Sequence, residues 1–172
     1  GFTAERWRIE FGGTPMRSEP SYWGGYVPWF SIRDVPASGD VFVLRTTECI
    51  TEVGVASSAA KVLATGTTVV TARGTVGKLA LIGTPMAINQ SCYGIRSRHS
   101  GCDLVTYFTI KHAVDELRQN VHGSVFDTIT TDTFATLRVT APPTELARAF
   151  DVAAGPFMAR IKANVTASET LV

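Results

Sequence analysis

The chain has 172 residues, of which 45% are hydrophobic and 18% charged, so it is long enough for one core and too apolar to stay disordered. No apolar run nears the roughly 20 residues that span a bilayer, and a formal net charge of +1 excludes a domain whose partner is set by overall charge. Three cysteines, Cys49, Cys92 and Cys102, at irregular spacing argue against a disulfide framework and suit a reducing compartment, by default the cytoplasm.

In chain order, Val27 to Ile32, Thr67 to Ala72, Lys78 to Ile82 and Ser91 to Ile95 are short, rich in β-branched or aromatic residues and bounded by Gly, Pro or Asn, which predicts strands. From Asp103, read as an N-cap, to about Val121, the apolar residues Leu104, Phe108, Val114, Leu117 and Val121 predict a helix packed on the sheet. After Pro142 and Pro143, a long helix is expected from Thr144. Along it Leu146, Phe150, Ala153, Phe157, Ile161 and Val165 recur at three- and four-residue steps. That stripe needs a partner, and Gly155-Pro156 predicts a kink because proline removes a backbone donor and clashes with the preceding turn. The chain starts at Gly1 with no basic-then-apolar leader, so it is expected to be a processed piece without a visible secretion signal.

Charge is unevenly placed. The three stretches up to Glu52, from there to Asp103, and from Asp103 onward carry −2, +5 and −2, and the middle one holds Lys61, Arg73, Lys78, Arg96, Arg98 and His99 with no acid at all. Such a segment presents a basic face to a polyanion even on a nearly neutral domain, although five scattered surface cations would give the same count.

Catalytic motifs are weak. Ala141-Pro142-Pro143-Thr144 lacks the polar lead and the aromatic that hold a flipped base in an amino-methyltransferase. In a phosphate-binding loop reading of Arg73 to Lys78, Ala72 stands where the first Gly belongs and Leu79 where the Mg²⁺-binding hydroxyl belongs. His122-Gly123-Ser124 sets a base beside a hydroxyl without a Gly-x-Ser-x-Gly elbow. Cys92, His99, Cys102 and His112 lack the paired spacing that anchors a metal.

Residues 68 to 95 run from an apolar stretch through Arg73-Gly74-Thr75-Val76-Gly77-Lys78 into a second apolar run and Ala87-Ile88-Asn89-Gln90-Ser91-Cys92. Upstream lie Gly13-Thr14-Pro15, the stretch Ser21 to Trp29, Asp34, and Ile50-Thr51-Glu52 to Ser57-Ser58-Ala59-Ala60-Lys61. Downstream lie Gly123 to Ile129 and Pro142-Pro143-Thr144-Glu145-Leu146. In that order these pieces resemble the target recognition domain of the DNA specificity subunit of type I restriction-modification systems, over nearly the whole chain. The resemblance implies an α+β fold of the DNA methylase specificity domain type: a curved mixed β-sheet with flanking helices over residues 1–143, and a projecting C-terminal spacer helix, in part, over 144–172. It implies a non-catalytic component that reads half of a bipartite double-stranded DNA site and directs adenine methylation and restriction. The partners implied are type I modification subunits, a restriction subunit, and a second recognition domain or a second copy joined through the helix. S-adenosylmethionine is expected in the modification subunit and no cofactor in this chain. Whether the chain is part of a two-domain subunit or a half-length subunit stays open.

Under that resemblance, Arg96, Arg98 and His99 are candidates for groove or phosphate contact, and Lys61, Ser57, Ser58 and Arg17 beside Tyr22 for phosphates. Arg73, Thr75 and Lys78 flank a glycine turn whose Gly74 and Gly77 amides would approach a phosphate, unless the turn is only a turn. Asn89 and Gln90 are expected to make buried hydrogen bonds to loops in preference to reading bases, and Trp7, Trp23 and Trp29 to anchor core or loops in preference to stacking on bases. Leu146, Phe150, Phe157 and Ile161 are the expected partner-binding stripe. Reversal of Arg96 and Arg98 to Glu is expected to weaken duplex binding with little loss of stability. The rival readings are a protein-interaction scaffold working through the C-terminal helix and a small hydrolase.

Overall fold

The computed structural model describes residues 5–37, 40–120, 128–136 and 139–170. Among the described residues nine strands form two sheets. The five-stranded sheet has the order β1 (Trp7–Phe11), β9 (Cys92–Ser97), β6 (Thr68–Thr71), β7 (Leu79–Ile82) and β3 (Phe42–Val43). The four-stranded sheet has the order β4 (Cys49–Ile50), β2 (Trp23–Phe30), β8 (Met86–Ile88) and β5 (Val62–Leu63). Both are mixed, since β3 runs parallel to β7 and β2 parallel to β8 while the other pairs are antiparallel. The described residues hold four α-helices, in chain order α1 (Glu52–Ala56), α2 (Asp103–Asn120), α3 (Thr131–Thr136) and α4 (Thr144–Thr170).

Period-two alternation explains the layers. In β6, Val70 joins Trp7, Ile95, Ile110 and Val114 beneath α2, and its neighbour Val69 points the other way, to Phe30, Ile82, Met86 and Ile88 between the sheets. A strand buried on both faces reads as a continuous apolar run, and Thr68 to Thr71 are all buried. The four strands expected from sequence are present as β2, β6, β7 and β9.

Two expectations for the helices change. Asp103 is the first helical residue, and its carboxylate turns to Arg96 instead of capping its own helix. The buried face of α2 is Thr106, Tyr107, Ile110, Ala113 and Val114, whereas Phe108 stands exposed against Phe150 of α4, with ring centroids 5.8 Å apart. Val121 lies outside the described residues, as do His122, Gly123 and Ser124 of the hydrolase reading.

The long helix starts at Thr144 as expected and continues unbroken through Pro156 for 27 residues, about 40 Å at 1.5 Å per residue. It docks on the body through Ala147, Asp151, Met158 and Lys162, whose ammonium donates to the Gly83 carbonyl. The apolar row that begins at Leu146 lies one residue, or 100°, round from this docking row, so it flanks the contact and meets the body where Phe150 packs edge-on against Phe108. Leu146 is 60% and Phe157 74% exposed, and Phe150 and Ile161 are also exposed. No helix among the described residues is long and apolar enough to cross a membrane.

Candidate nucleic-acid interface

The strand pair β1 and β9 places the first group of candidate residues. Trp7 and Ile9 pack under α2, so the alternate positions Arg8 and Glu10 face outward. Antiparallel register sets Arg8 directly opposite Arg96 and Glu10 opposite Gly94. The Arg96 guanidinium meets Asp103 in two places, Nε to Oδ1 at 3.2 Å and Nη2 to Oδ2 at 3.0 Å. Burial lifts the Asp103 carboxyl above its ordinary range, and the guanidinium pulls the other way without overcoming it. Arg8 bonds Glu10 at 2.8 Å, and the other oxygen of Glu10 takes Lys61 at 3.2 Å. A groove of 340 Å³ opens here, lined by Arg8, Arg96, Ser97 and Arg98. His99 is exposed just beyond, its backbone amide donating to Ser97 Oγ at 3.0 Å.

Arg8 is the residue that reasoning from sequence passed over. Its signal was the alternation Trp7-Arg8-Ile9-Glu10-Phe11, which marks a strand with one polar face. The row Arg98, Arg96, Arg8 and Lys61, with Glu10 bridging the last two, continues along the chain to Ser58 and Ser57.

Those two serines sit around α1. Thr51 caps it, Oγ1 accepting from the Gly54 amide at 3.0 Å, and Ser58 Oγ donates to the Gly54 carbonyl at 2.8 Å. Tyr22 lies on the other side, its carbonyl accepting from the Thr51 amide at 2.9 Å. The structure therefore groups Tyr22, Ser57 and Ser58. Arg17 is held differently: it pairs with Glu48 through both terminal nitrogens and lies 3.8 Å over the Trp23 ring. That hydrogen bond holds the Glu48 carboxyl below its ordinary range. A guanidinium with an acid and an indole already in contact is anchored, which argues for a structural share in its role.

The hairpin Arg73 to Lys78 is apart from both groups. Register pairs Thr71 with Cys92 and Thr68 with Ile95, so the β6–β7 turn lies at the end of the sheet opposite Arg96 and Arg98. Gly74 and Gly77 take φ of +78° and +73°, the left-handed region that favours glycine. The Gly77 amide donates to the Thr71 carbonyl at 2.8 Å and the Lys78 amide to Thr71 Oγ1 at 3.0 Å. Those amides serve the turn, which corrects the expectation that the Gly77 N–H meets a phosphate. The side chains of Arg73, Thr75 and Lys78 remain exposed.

The tryptophans anchor as expected: Trp7 Nε1 donates to Thr106 Oγ1 at 3.3 Å, Trp29 Nε1 to the Gly13 carbonyl at 2.9 Å, and Trp23 Nε1 to the Met16 carbonyl at 3.2 Å. Asn89 Oδ1 accepts from the Ser91 amide at 3.0 Å within its own turn, and Gln90 ties that turn to Thr14 from an exposed position, where buried bonding was expected. Burial pushes the Cys92 thiol up to about 12, and the three cysteines are unpaired.

A chain in a crystal structure of the HsdS subunit from Thermoanaerobacter tengcongensis superposes with a TM-score of 0.58 at 21% identity, over 92% of this chain and 37% of that one. A chain from a structure concerned with complex assembly and conformational transition of the type I R-M system gives 0.56 at 21% identity, over 99% and 43%. At that identity the likeness shows the fold. The type I restriction enzyme MjaIX specificity subunit of Methanocaldococcus jannaschii is 25% identical over 136 residues, which is 78% of this chain and 32% of that protein. The chain thus spans about a third of the curated relative it matches. The family described as type I restriction modification DNA specificity domain matches residues 8–147, from Arg8 in the outer groove to the first docking residue of α4, and the chain belongs to that family.

Proposed function

We propose that the chain is a sequence-specific double-stranded DNA recognition module that reads one half of a bipartite site and directs type I adenine methylation and restriction by partner subunits. As a DNA specificity domain it is a non-catalytic component. The observation that carries the reading is the outward row of cations at β1 and the end of β9, where Arg8, Arg96 and, just past the strand, Arg98 share one groove and Lys61 adjoins it through Glu10. Arg96, Arg98 and His99 meet the duplex at that groove, and Lys61, Ser57, Ser58 and Tyr22 follow its phosphates. Arg17 supports that rim. Arg73, Thr75 and Lys78 form a separate contact at the far end of the sheet. The recognition body is residues 1–143 and the spacer 144–172, a division supported by the start of α4 at Thr144. The exposed row Leu146, Phe150, Phe157 and Ile161 takes a modification subunit or a second copy. S-adenosylmethionine belongs to the modification subunit, and the compartment is the cytoplasm.

The test is duplex binding by anisotropy against a random-sequence pool over a range of salt. Affinity is expected to fall linearly in log–log form with salt, and one short sequence to be enriched. Binding that is absent, or insensitive to both salt and sequence, would favour the scaffold reading.

A further inference from the structure

Arg8 and Arg96 stand directly opposite each other in the antiparallel ladder. Opposed positions hold their Cβ atoms about 4.5–5.5 Å apart, and like charges there destabilise the pair. Nothing in the fold demands cations at both places. Beside this pair the core contacts come from Trp7, Ile9 and Ile95 on the other face, Cys92 at the far end of β9 being buried between the sheets, and β1 is an edge strand. Two carboxylates offset the repulsion, Glu10 on Arg8 and Asp103 on Arg96, yet neither of them lines the groove. What lines it is three arginines and one serine.

We infer that this groove is a seat for one backbone phosphate of the duplex, with Arg8 and Arg96 as its two prongs. The inference rests on the DNA-recognition reading and deepens it by adding Arg8 and by giving Arg96 a role. Arg96 pairs side-on with Asp103 through Nε and Nη2, which fixes the plane of its guanidinium and leaves the protons of its far edge, on Nη1 and Nη2, to meet an anionic oxygen. Arg8, 64% exposed in its side chain, reaches the same opening from the neighbouring strand. Two guanidinium groups on adjacent strands match the two non-bridging oxygens of a phosphodiester. Such a contact fixes where the domain sits on the duplex and carries no sequence information.

The experiment compares the unaltered chain with Arg8→Gln on two duplexes, the sequence it selects and an unrelated one, across several salt concentrations. Arg8→Gln is expected to lower affinity for both duplexes by the same factor, roughly tenfold, as for the loss of one charged hydrogen-bond partner. The magnitude of the log–log salt slope should drop by about 0.9, one phosphate's worth of released counterion. Arg8→Lys keeps the charge and loses the fork, so it should keep the slope and still lose affinity several-fold. It serves as the deciding variant if Arg8→Gln lowers the thermal midpoint. A loss confined to the selected duplex would mean base reading and would overturn the phosphate seat. So would unchanged affinity in both variants while the unaltered chain binds DNA with a normal salt slope, which leaves the DNA-recognition reading standing. If the unaltered chain binds no duplex at all, both fall.

Discussion

The Asp151 carboxylate of α4 caps α2 at Leu104: one oxygen accepts the Leu104 amide at 2.9 Å and the other the Val105 amide at 2.8 Å. The first amides of a helix have no partner within it, and a carboxylate at that end also favours the helix dipole. Here the cap comes from 46 and 47 positions away, on a different helix, because Asp103 is occupied with Arg96. The arm and the body are therefore joined by polar bonds as well as by the packing of Met158.

Asp151→Ala is expected to cost about 1–2 kcal/mol, the usual value of a lost cap with its amides left in a partly buried place. Urea unfolding measures the total, and hydrogen exchange should report selective loss of protection at Leu104 and Val105. Asp151→Asn, which keeps one acceptor, should recover part of the loss. Equal stability of all three chains would show that α4 does not cap α2 in solution.

Arg96 carries a pH signature through Asp103. Burial holds the folded pKa of Asp103 above its ordinary 3.8 while Arg96 lowers it. A carboxyl with a raised folded pKa stabilises fully below its unfolded value, and that contribution is lost as pH rises through the folded value. Removing Arg96 raises the folded value further and enlarges the loss. Arg96→Gln should therefore be nearly as stable as the unaltered chain near pH 4 and fall behind it towards pH 7, by about 1 kcal/mol at a pair this exposed. Arg96→Glu sets a second carboxylate against Asp103, so the double charge reversal of Arg96 and Arg98 lowers stability, against the expectation from sequence. A constant difference across that pH range would contradict the pairing.

The exposed row on α4 leads to a third expectation. Phe157 and Ile161 make little of the core, so Phe157→Lys with Ile161→Lys should change stability by no more than about 0.5–1 kcal/mol. The same pair of changes should abolish association with a modification subunit or a second copy, since contiguous exposed apolar patches mark interfaces. Light scattering and pull-down with purified modification subunit read the outcome. A monomeric unaltered chain that captures no modification subunit would remove the partner assignment from this row.

The β6–β7 hairpin separates scaffolding from contact by residue. A Cβ at position 77 would lie 2.8 Å from Val114 Cγ1 on backbone of positive φ, so Gly77→Ala should lower stability by about 1–2 kcal/mol or more. Arg73→Gln with Lys78→Gln should leave the thermal midpoint within a degree or two and weaken duplex binding in a salt-dependent way. If binding is unchanged in that double variant, the hairpin is a turn alone and the duplex stays at the Arg96 end of the sheet.

Long or regularly patterned elements were legible in the sequence, and short or non-locally specified ones were not. α2 and α4 announced themselves by period and by Pro142-Pro143, and β6 and β7 by β-branched runs around a glycine turn. β3, β4 and β5 have two residues each, too few for any periodicity, and exist because neighbouring strands offer partners. α1 is five residues closed by Thr51, a capping signal that could have been read from Thr51-Glu52. On α4 the apolar row was visible, while the docking row of Ala147, Asp151, Met158 and Lys162 was hidden by its mixed chemistry. At the candidate site Arg96, Arg98 and Lys61 were singled out by the missing acids around them. Arg8 was not, since only the register of β1 on β9 brings it to Arg96.

Cofactor binding gives the sharpest contrast between the recognition reading and an enzyme. A methyltransferase of the adenine amino group needs a glycine-rich cradle for S-adenosylmethionine and a polar residue before Pro-Pro and an aromatic for the flipped base. Here Pro142 and Pro143 follow Ala141 and precede Thr144, and the Pro142 carbonyl is bonded by Arg6 Nη1 at 2.6 Å as part of the approach to α4. The glycine turn uses the Gly77 and Lys78 amides on Thr71, where a cofactor cradle would present them to a ligand. The purified chain is therefore expected to give no saturable heat with S-adenosylmethionine and no methylation of duplex DNA. Adding a cognate modification subunit should bring both, and exchange of this domain for another should move the methylated sequence with it. A wrong base pair costs about 1–3 kcal/mol, so a lone domain reading a few pairs discriminates modestly, and two linked halves are needed for useful specificity. One-to-one calorimetric binding of S-adenosylmethionine by this chain alone would place the cofactor here instead of in its partner.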